Sequence, residues 1–282
     1  MIRTTLLALA LFAGSCHSPS GAGRPSATTS AKGWLMIVGG GGTTDVMYER
    51  AIELGGGSNS KVVVFPQASE LADTGAGSAQ AWREHGAGSA VVADTKDEAA
   101  ALKLVDEASV IWFPGGVQAR LMKALGARLP DAIRQRFREG AVIGGTSAGA
   151  AVMSEVMITG EIEGATEEDN GLTFVRAGTV ETLQGLGLVD WGVVDQHFVK
   201  RRRFHRLLSC VLEHPGLIGV GIDERTAILV HGPAFEVLGE SQVIVVDPRR
   251  AKPEATPKGE RAAGTDLELH LLRPGMRFEI EE

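Results

Sequence analysis

The sequence predicts an α/β protein built on a mostly parallel sheet that is covered on both faces. Short apolar runs recur along the first half of the chain, at 34–38, 61–65, 90–93, 110–113 and 141–143, and stretches of helical character separate them. Several of these runs end in glycine: Gly39 to Gly42, Gly115-Gly116 after Pro114, and Gly144-Gly145 before Ser147. In such sheets the carboxyl ends of the strands gather on one edge, and that edge is where a site forms.

Taken in order, residues 1–16 read as an export signal. Arg3 supplies the positive start, and residues 6–12 form an apolar core too short to span a bilayer. Ala13-Gly14-Ser15-Cys16 resembles a lipoprotein cleavage box, so an exported protein, extracellular or periplasmic, is expected, with Cys16 as the point of a lipid anchor and plain cleavage with Cys16 lost or unmodified as the alternative. Residues 17–33 are rich in Ser, Gly, Pro and Thr, the composition of a flexible linker. One hydrolytic α/β domain is expected over 34–282, because no repeat and no second core is visible.

Within that domain, helices are expected over 45–54, 78–85, 96–105, 117–125 and 130–138, alternating with the apolar strands. Residues 160–183 are acidic and glycine-bearing, and read as a long loop or small excursion near the site. A strand over 193–198 contains Asp195-Gln196-His197. The next segment, 200–213, places Phe204, Leu207, Leu208, Val211 and Leu212 on one helical face. Further strands are expected over 218–222, 226–230, 235–238, 242–246 and 267–272, with a polar loop over 251–264. Once Cys16 is assigned to the exported segment, Cys210 has no internal partner and is expected as a small core residue. A formal net charge of −7 argues against a general surface for nucleic acid or anionic membrane.

The chemistry centres on Gly145-Thr146-Ser147-Ala148-Gly149, which fits the Gly-x-Ser-x-Gly pattern of a nucleophile elbow. A strand before it and a helix after it are the context that the pattern requires. A serine nucleophile needs a base. Of the seven histidines, His85 and His214 lie near helix ends, His231 precedes a turn, and His205 sits in a basic helix. His197 differs because it closes a buried strand on the same sheet edge as Ser147.

A carboxylate should orient the imidazole. Glu161, Glu163, Glu167, Glu168 and Asp169 crowd the segment between serine and histidine, and most of them must belong to a solvated loop. Glu163 is favoured, with Glu161 next. Ala148 and Gly116 are the expected oxyanion donors, the first from the elbow and the second from the neighbouring glycine turn. Arg201, Arg202, Arg203 and Arg206 cannot all face one way, but their place beside His197 suits a substrate-carboxylate clamp. No cysteine or histidine cluster has metal-ligand spacing, so neither metal nor cofactor is expected.

Phe113-Pro114-Gly115-Gly116-Val117-Gln118, the elbow, Asp195-Gln196-His197-Phe198 with its arginine run, and Gly221-Ile222-Asp223-Glu224 occur together and in this order. Jointly they resemble the cyanophycinases, from the serine peptidase family that also holds the aspartyl dipeptidases (peptidase E). The resemblance implies a three-layer αβα sandwich similar to class I glutamine amidotransferases, a Ser-His-Glu triad and a homodimer. It implies cleavage of cyanophycin, multi-L-arginyl-poly-L-aspartate, to β-aspartyl-arginine dipeptides. It further implies that Gln118, Asp195, Gln196, Arg201, Arg203 and Arg206 line the substrate groove. Activity on short aspartyl peptides, or binding of peptide or polymer without turnover in the cell envelope, are the competing expectations.

Overall fold

The computed structural model describes residues 31–162 and 174–280. The expected export signal and all but the last three residues of the linker lie outside them. The linker proves shorter than its composition suggests: Ala31 is buried, and the backbone N–H of Gly33 donates to the Phe137 carbonyl at 3.0 Å.

The first half alternates strand and helix. It comprises β1 (Trp34–Val38), α1 (Asp45–Leu54), β2 (Lys61–Val64), α2 (Thr74–Glu84), β3 (Ser89–Val92) and α3 (Glu98–Glu107). There follow β4 (Val110–Phe113), α4 (Gln118–Leu125), α5 (Arg128–Glu139), β5 (Val142–Thr146) and the short α6 (Ala148–Ala151). The second half is rich in strands: β6 (Val156–Ile162), β7 (Val180–Gln184) and β8 (Gly192–Gln196), then α7 (Phe204–Glu213), β9 (Ile218–Ile222), β10 (Thr226–His231) and β11 (Ala234–Gly239). It ends with β12 (Val243–Asp247), the small pair β13 (Lys252–Pro253) and β14 (Gly264–Thr265), β15 (Glu268–Leu272) and β16 (Arg277–Glu279).

An 8-stranded sheet has the order β16-β11-β10-β1-β5-β4-β2-β3. The strands from β1 through β5, β4 and β2 to β3 are parallel, and β10, β11 and β16 extend the sheet in antiparallel fashion. Because successive side chains point to opposite faces, the inner parallel strands β1, β5, β4 and β2 each feed two layers, whereas the edge strand β3 leaves Val91 and Val92 exposed. Leu35, Ile37, Ile111 and Phe113 pack with Val105 of α3, Leu121 of α4, and Ile133 and Phe137 of α5. Met36, Val38, Val62, Val64 and Trp112 pack with Met47 and Ala51 of α1 and Trp82 of α2. Continuous apolar runs therefore replace alternation in these strands, since neither face meets water.

The later strands do not all join this sheet. β8, β9, β12 and β15 form a second, 4-stranded sheet in the order β15-β12-β9-β8. On one face, Val194, Val220, Ile222, Val243 and Val245 merge with the larger core. On the other, Val193, Phe198 and Val246 meet Leu207, Cys210 and Val211 of α7. Gly219 permits this contact, since a Cβ there would lie 2.8 Å from Val211 and 3.0 Å from Leu207. The excursion expected at 160–183 is bordered by an antiparallel ribbon of β6 and β7. Glu163, Glu167, Glu168 and Asp169 lie outside the described residues.

Candidate active site

Ser147 sits between the last residue of β5 and the first of α6, with φ 55° and ψ −111°. A non-glycine residue adopts such a backbone only when its surroundings enforce it. Here the Ser147 N–H donates to the Val38 carbonyl at 3.0 Å, and its own carbonyl accepts from Ala150 N at 2.9 Å. The flanking glycines of the elbow have a steric cause. A Cβ on Gly149 would lie 1.9 Å from the Phe113 carbonyl oxygen, and one on Gly145 2.6 Å from the backbone of Gly149.

His197 follows β8 directly and also has a positive φ, 49°. Its backbone N–H donates to the Gly39 carbonyl at 2.7 Å, tying it to the end of β1. Its Nε2 lies 2.9 Å from Ser147 Oγ, and its Nδ1 lies 2.7 Å from Glu224 Oε1. Serine, imidazole and carboxylate thus form an unbroken relay.

The carboxylate corrects the expectation for Glu163 or Glu161. Glu163 lies outside the described residues, and of Glu161 only the backbone, in β6, is described; the place on Nδ1 is filled by Glu224. The reason is strand pairing. β8 and β9 run parallel with Gln196 beside Ile222, so the residues just beyond each strand emerge together. The signal was present in the sequence: Asp223-Glu224 follows a buried strand in the way that His197 does.

The glycine run after β1 closes over this relay. A Cβ on Gly40 would lie 2.3 Å from His197 Cε1, and one on Gly41 2.6 Å from Glu224 Cβ. Arg225 N donates to the Gly40 carbonyl at 2.7 Å, which fixes the run against the Glu224 turn. Burial holds the His197 imidazole below its ordinary pKa; the hydrogen bond to Glu224 opposes this, while nearby Arg201 and Arg203 add to it. The neutral ring, able to accept a proton, is therefore favoured.

The other expected site residues divide into two groups. Gln196 Oε1 lies 3.5 Å from Ser147 Oγ and accepts from Arg203 Nη1 at 2.8 Å. Arg203 also donates to the Gln196 carbonyl at 2.7 Å, and burial brings its pKa down to about 10. Arg201 is exposed beside them.

Asp195 and Arg206 are instead spent on each other, which corrects their assignment to the groove lining. Arg206 Nε donates to Asp195 Oδ2 at 2.7 Å, a second bond joins Arg206 Nη2 to Asp195 Oδ1, and both side chains are buried. A buried charge must be paired, and this fork supplies the pairing. Gln118 is likewise buried, and its amide Nε2 donates to the carbonyls of Ile158 (2.8 Å) and Thr159 (2.6 Å). Its amide nitrogen therefore holds β6 instead of facing a groove.

Of the expected oxyanion donors, Ala148 is adjacent to the nucleophile in sequence, and Gly116 belongs to a turn that reaches it through Gly115. Ala148 opens α6, where the first N–H groups of a helix have no partner within it. A Cβ on Gly115 would lie 3.3 Å from Ser147 Cβ, so the Gly115-Gly116 turn abuts the serine. Gly116 has φ 143°, and the place of its Cβ is taken by the Ala68 carbonyl, 2.2 Å away. Among the described residues no group of three or more His, Cys, Asp or Glu side chains is arranged to hold a metal ion.

Residues 35–238 match the profile of Peptidase family S51, a span that includes Ser147, His197 and Glu224. The chain belongs to peptidase family S51. This S51 peptidase is 34% identical over 277 residues to the cyanophycinase of Nostoc sp., covering 91% of this chain and 87% of that relative. It is 36% identical over 247 residues to the cyanophycinase of Geminocystis herdmanii, covering 83% and 87%. Its fold is similar to the crystal structure of a peptidase from an acI-B1 Actinobacterium, with a TM-score of 0.61 at 20% identity, covering 89% of this chain and 98% of the other. The family match ends in β11, so β12 and β15 of the second sheet lie beyond it.

Proposed function

We propose that this S51 peptidase is a serine exopeptidase that degrades cyanophycin to β-aspartyl-arginine dipeptides through an acyl-enzyme. The observation that carries the reading is the relay from Ser147 Oγ to His197 Nε2, 2.9 Å, and from His197 Nδ1 to Glu224, 2.7 Å. His197 takes the hydroxyl proton as Ser147 attacks the scissile carbonyl, and Glu224 stabilises the imidazolium that forms. The N–H groups of Ala148 and Gly116 receive the oxyanion. The imidazolium then protonates the leaving amine, and water attacks the ester by the reverse path.

Two features support the substrate. The chain resembles cyanophycinases over most of its length. Arg203 donates to Gln196, whose Oε1 lies 3.5 Å from Ser147 Oγ, and Arg201 is exposed in the same turn, which suits a polymer whose every arginine bears a free carboxylate. The test is incubation of the purified protein and its Ser147→Ala variant with cyanophycin and with short aspartyl peptides, with products followed by mass spectrometry. Dipeptide release from polymer by the parent, falling at least about 10³-fold in the variant, is expected. Turnover of short peptides alone would make the enzyme an aspartyl dipeptidase. Equal release by both proteins, or binding without turnover, would contradict the mechanism.

The expected export signal at 1–16, with its resemblance to a lipoprotein cleavage box at Cys16, supports a further reading, that the enzyme is exported and lipid-anchored. The intact mass of the mature N-terminus tests this, with a lipidated Cys16 as the expected first residue. A homodimer, which the family resemblance implies, is expected by light scattering.

A further inference from the structure

We propose that Asp223, the residue before Glu224, is a positioning residue that sets the His197–Glu224 geometry by joining the turns that carry them. Its carboxylate is buried, with each oxygen engaged. Oδ1 accepts from the backbone N–H of Lys200 at 2.9 Å, within the turn that leaves His197. Oδ2 accepts from Ser241 Oγ at 2.8 Å, in the turn between β11 and β12.

The backbone around Asp223 makes it a junction. Its N–H donates to the Gln242 carbonyl at 3.1 Å. Its carbonyl oxygen lies 2.2 Å from where a Cβ on Gly39 would fall, so it rests against the end of β1. A second strut runs alongside: Ser241 N donates to Thr226 Oγ1 at 2.8 Å, and Thr226 Oγ1 donates to the Glu224 carbonyl at 3.1 Å.

His197 stands in a left-handed backbone conformation that its turn must hold against relaxation. Arg202, in the same turn, is left-handed as well, with φ 54°. The Lys200 N–H lies between these two residues, and Asp223 is the group that captures it. The carboxylate thus acts through the turn and through its neighbour Glu224; its hydrogen bonds go to Lys200 and Ser241, and not to Ser147 or the imidazole.

This inference rests on the Ser147–His197–Glu224 reading, so its test has a readout that does not depend on turnover. In the parent protein the His197 Nδ1 proton, shared with Glu224, should give a downfield proton NMR line. Asp223→Ala removes both bonds and should broaden or abolish that line; kcat on cyanophycin should fall about 10- to 100-fold with KM changed less than about twofold. Asp223→Asn should preserve both line and rate, because its amide can accept from Lys200 N and donate to Ser241 Oγ. Should Asp223→Ala fail to fold, Ser241→Ala, which removes one bond, should broaden the line and lower kcat about threefold. An unaltered line and rate in folded Asp223→Ala, or in Ser241→Ala where Asp223→Ala does not fold, would overturn the proposal. If the parent shows no turnover, the functional reading fails and the NMR line alone decides the role of Asp223.

Discussion

At the scale of single residues, the account turns on the carboxylate behind the imidazole. Glu224→Gln keeps the size of the side chain but removes the charge that steadies the imidazolium, so kcat should fall on the order of 10³- to 10⁴-fold. Glu163→Gln and Glu161→Gln, tested by the same steady-state assay, should stay within about twofold of the parent. The lowered pKa of His197 makes a second prediction. Activity should hold as pH falls below 6.5 and be lost only when the imidazole finally protonates. Arg201→Gln removes a cation that disfavours the imidazolium, so the pKa rises and the acid limb of kcat/KM moves to higher pH. In a folding experiment the sign is the same: the unfolded imidazole protonates first, so what this group contributes is full above about pH 6.5 and declines below it. Cys210 is buried, and burial pushes its thiol up to about 12. It should resist alkylation in the native protein and react on unfolding.

At the scale of elements, each functional side chain is placed by a strand end, and much of that was legible in the sequence. The apolar run before Gly144, the elbow glycines and the small residues after Ser147 located the nucleophile, because their roles are local. His197 was legible as the polar residue that closes a buried strand. Glu224 gives the same signal, but chain order pointed to the acidic segment between serine and histidine, and order says nothing about the parallel pairing of β8 with β9. The internal pairing of Asp195 with Arg206 was hidden for a related reason: charge content alone does not reveal which charges are buried. Asp195→Ala should leave an unpaired buried guanidinium and destabilise the fold by about 3–5 kcal/mol, read by denaturant unfolding. Gly40→Ala should place a methyl group against the His197 ring at a backbone φ of 103° and reduce kcat by about 10² or more.

At the scale of the whole molecule, the inner parallel strands of the large sheet were readable because strands covered on both faces are uniformly apolar. The division of the late strands between two sheets was not. β9 and β10 are both buried at nearly every position, yet one joins the small sheet and the other the large one. Hydrophobicity specifies burial but not the neighbour. This division matters to function, since serine comes from the large sheet, histidine from the small one, and the glutamate from the turn that links them. The catalytic geometry therefore depends on how the two sheets are held together through the shared core. The most direct test is mass spectrometry of the protein treated with a fluorophosphonate, alongside His197→Ala and Glu224→Gln. A single adduct mapped to Ser147, formed far more slowly in both variants, is the predicted result. An unlabelled Ser147 in the parent, or labelling at the same rate in all three proteins, would contradict the account.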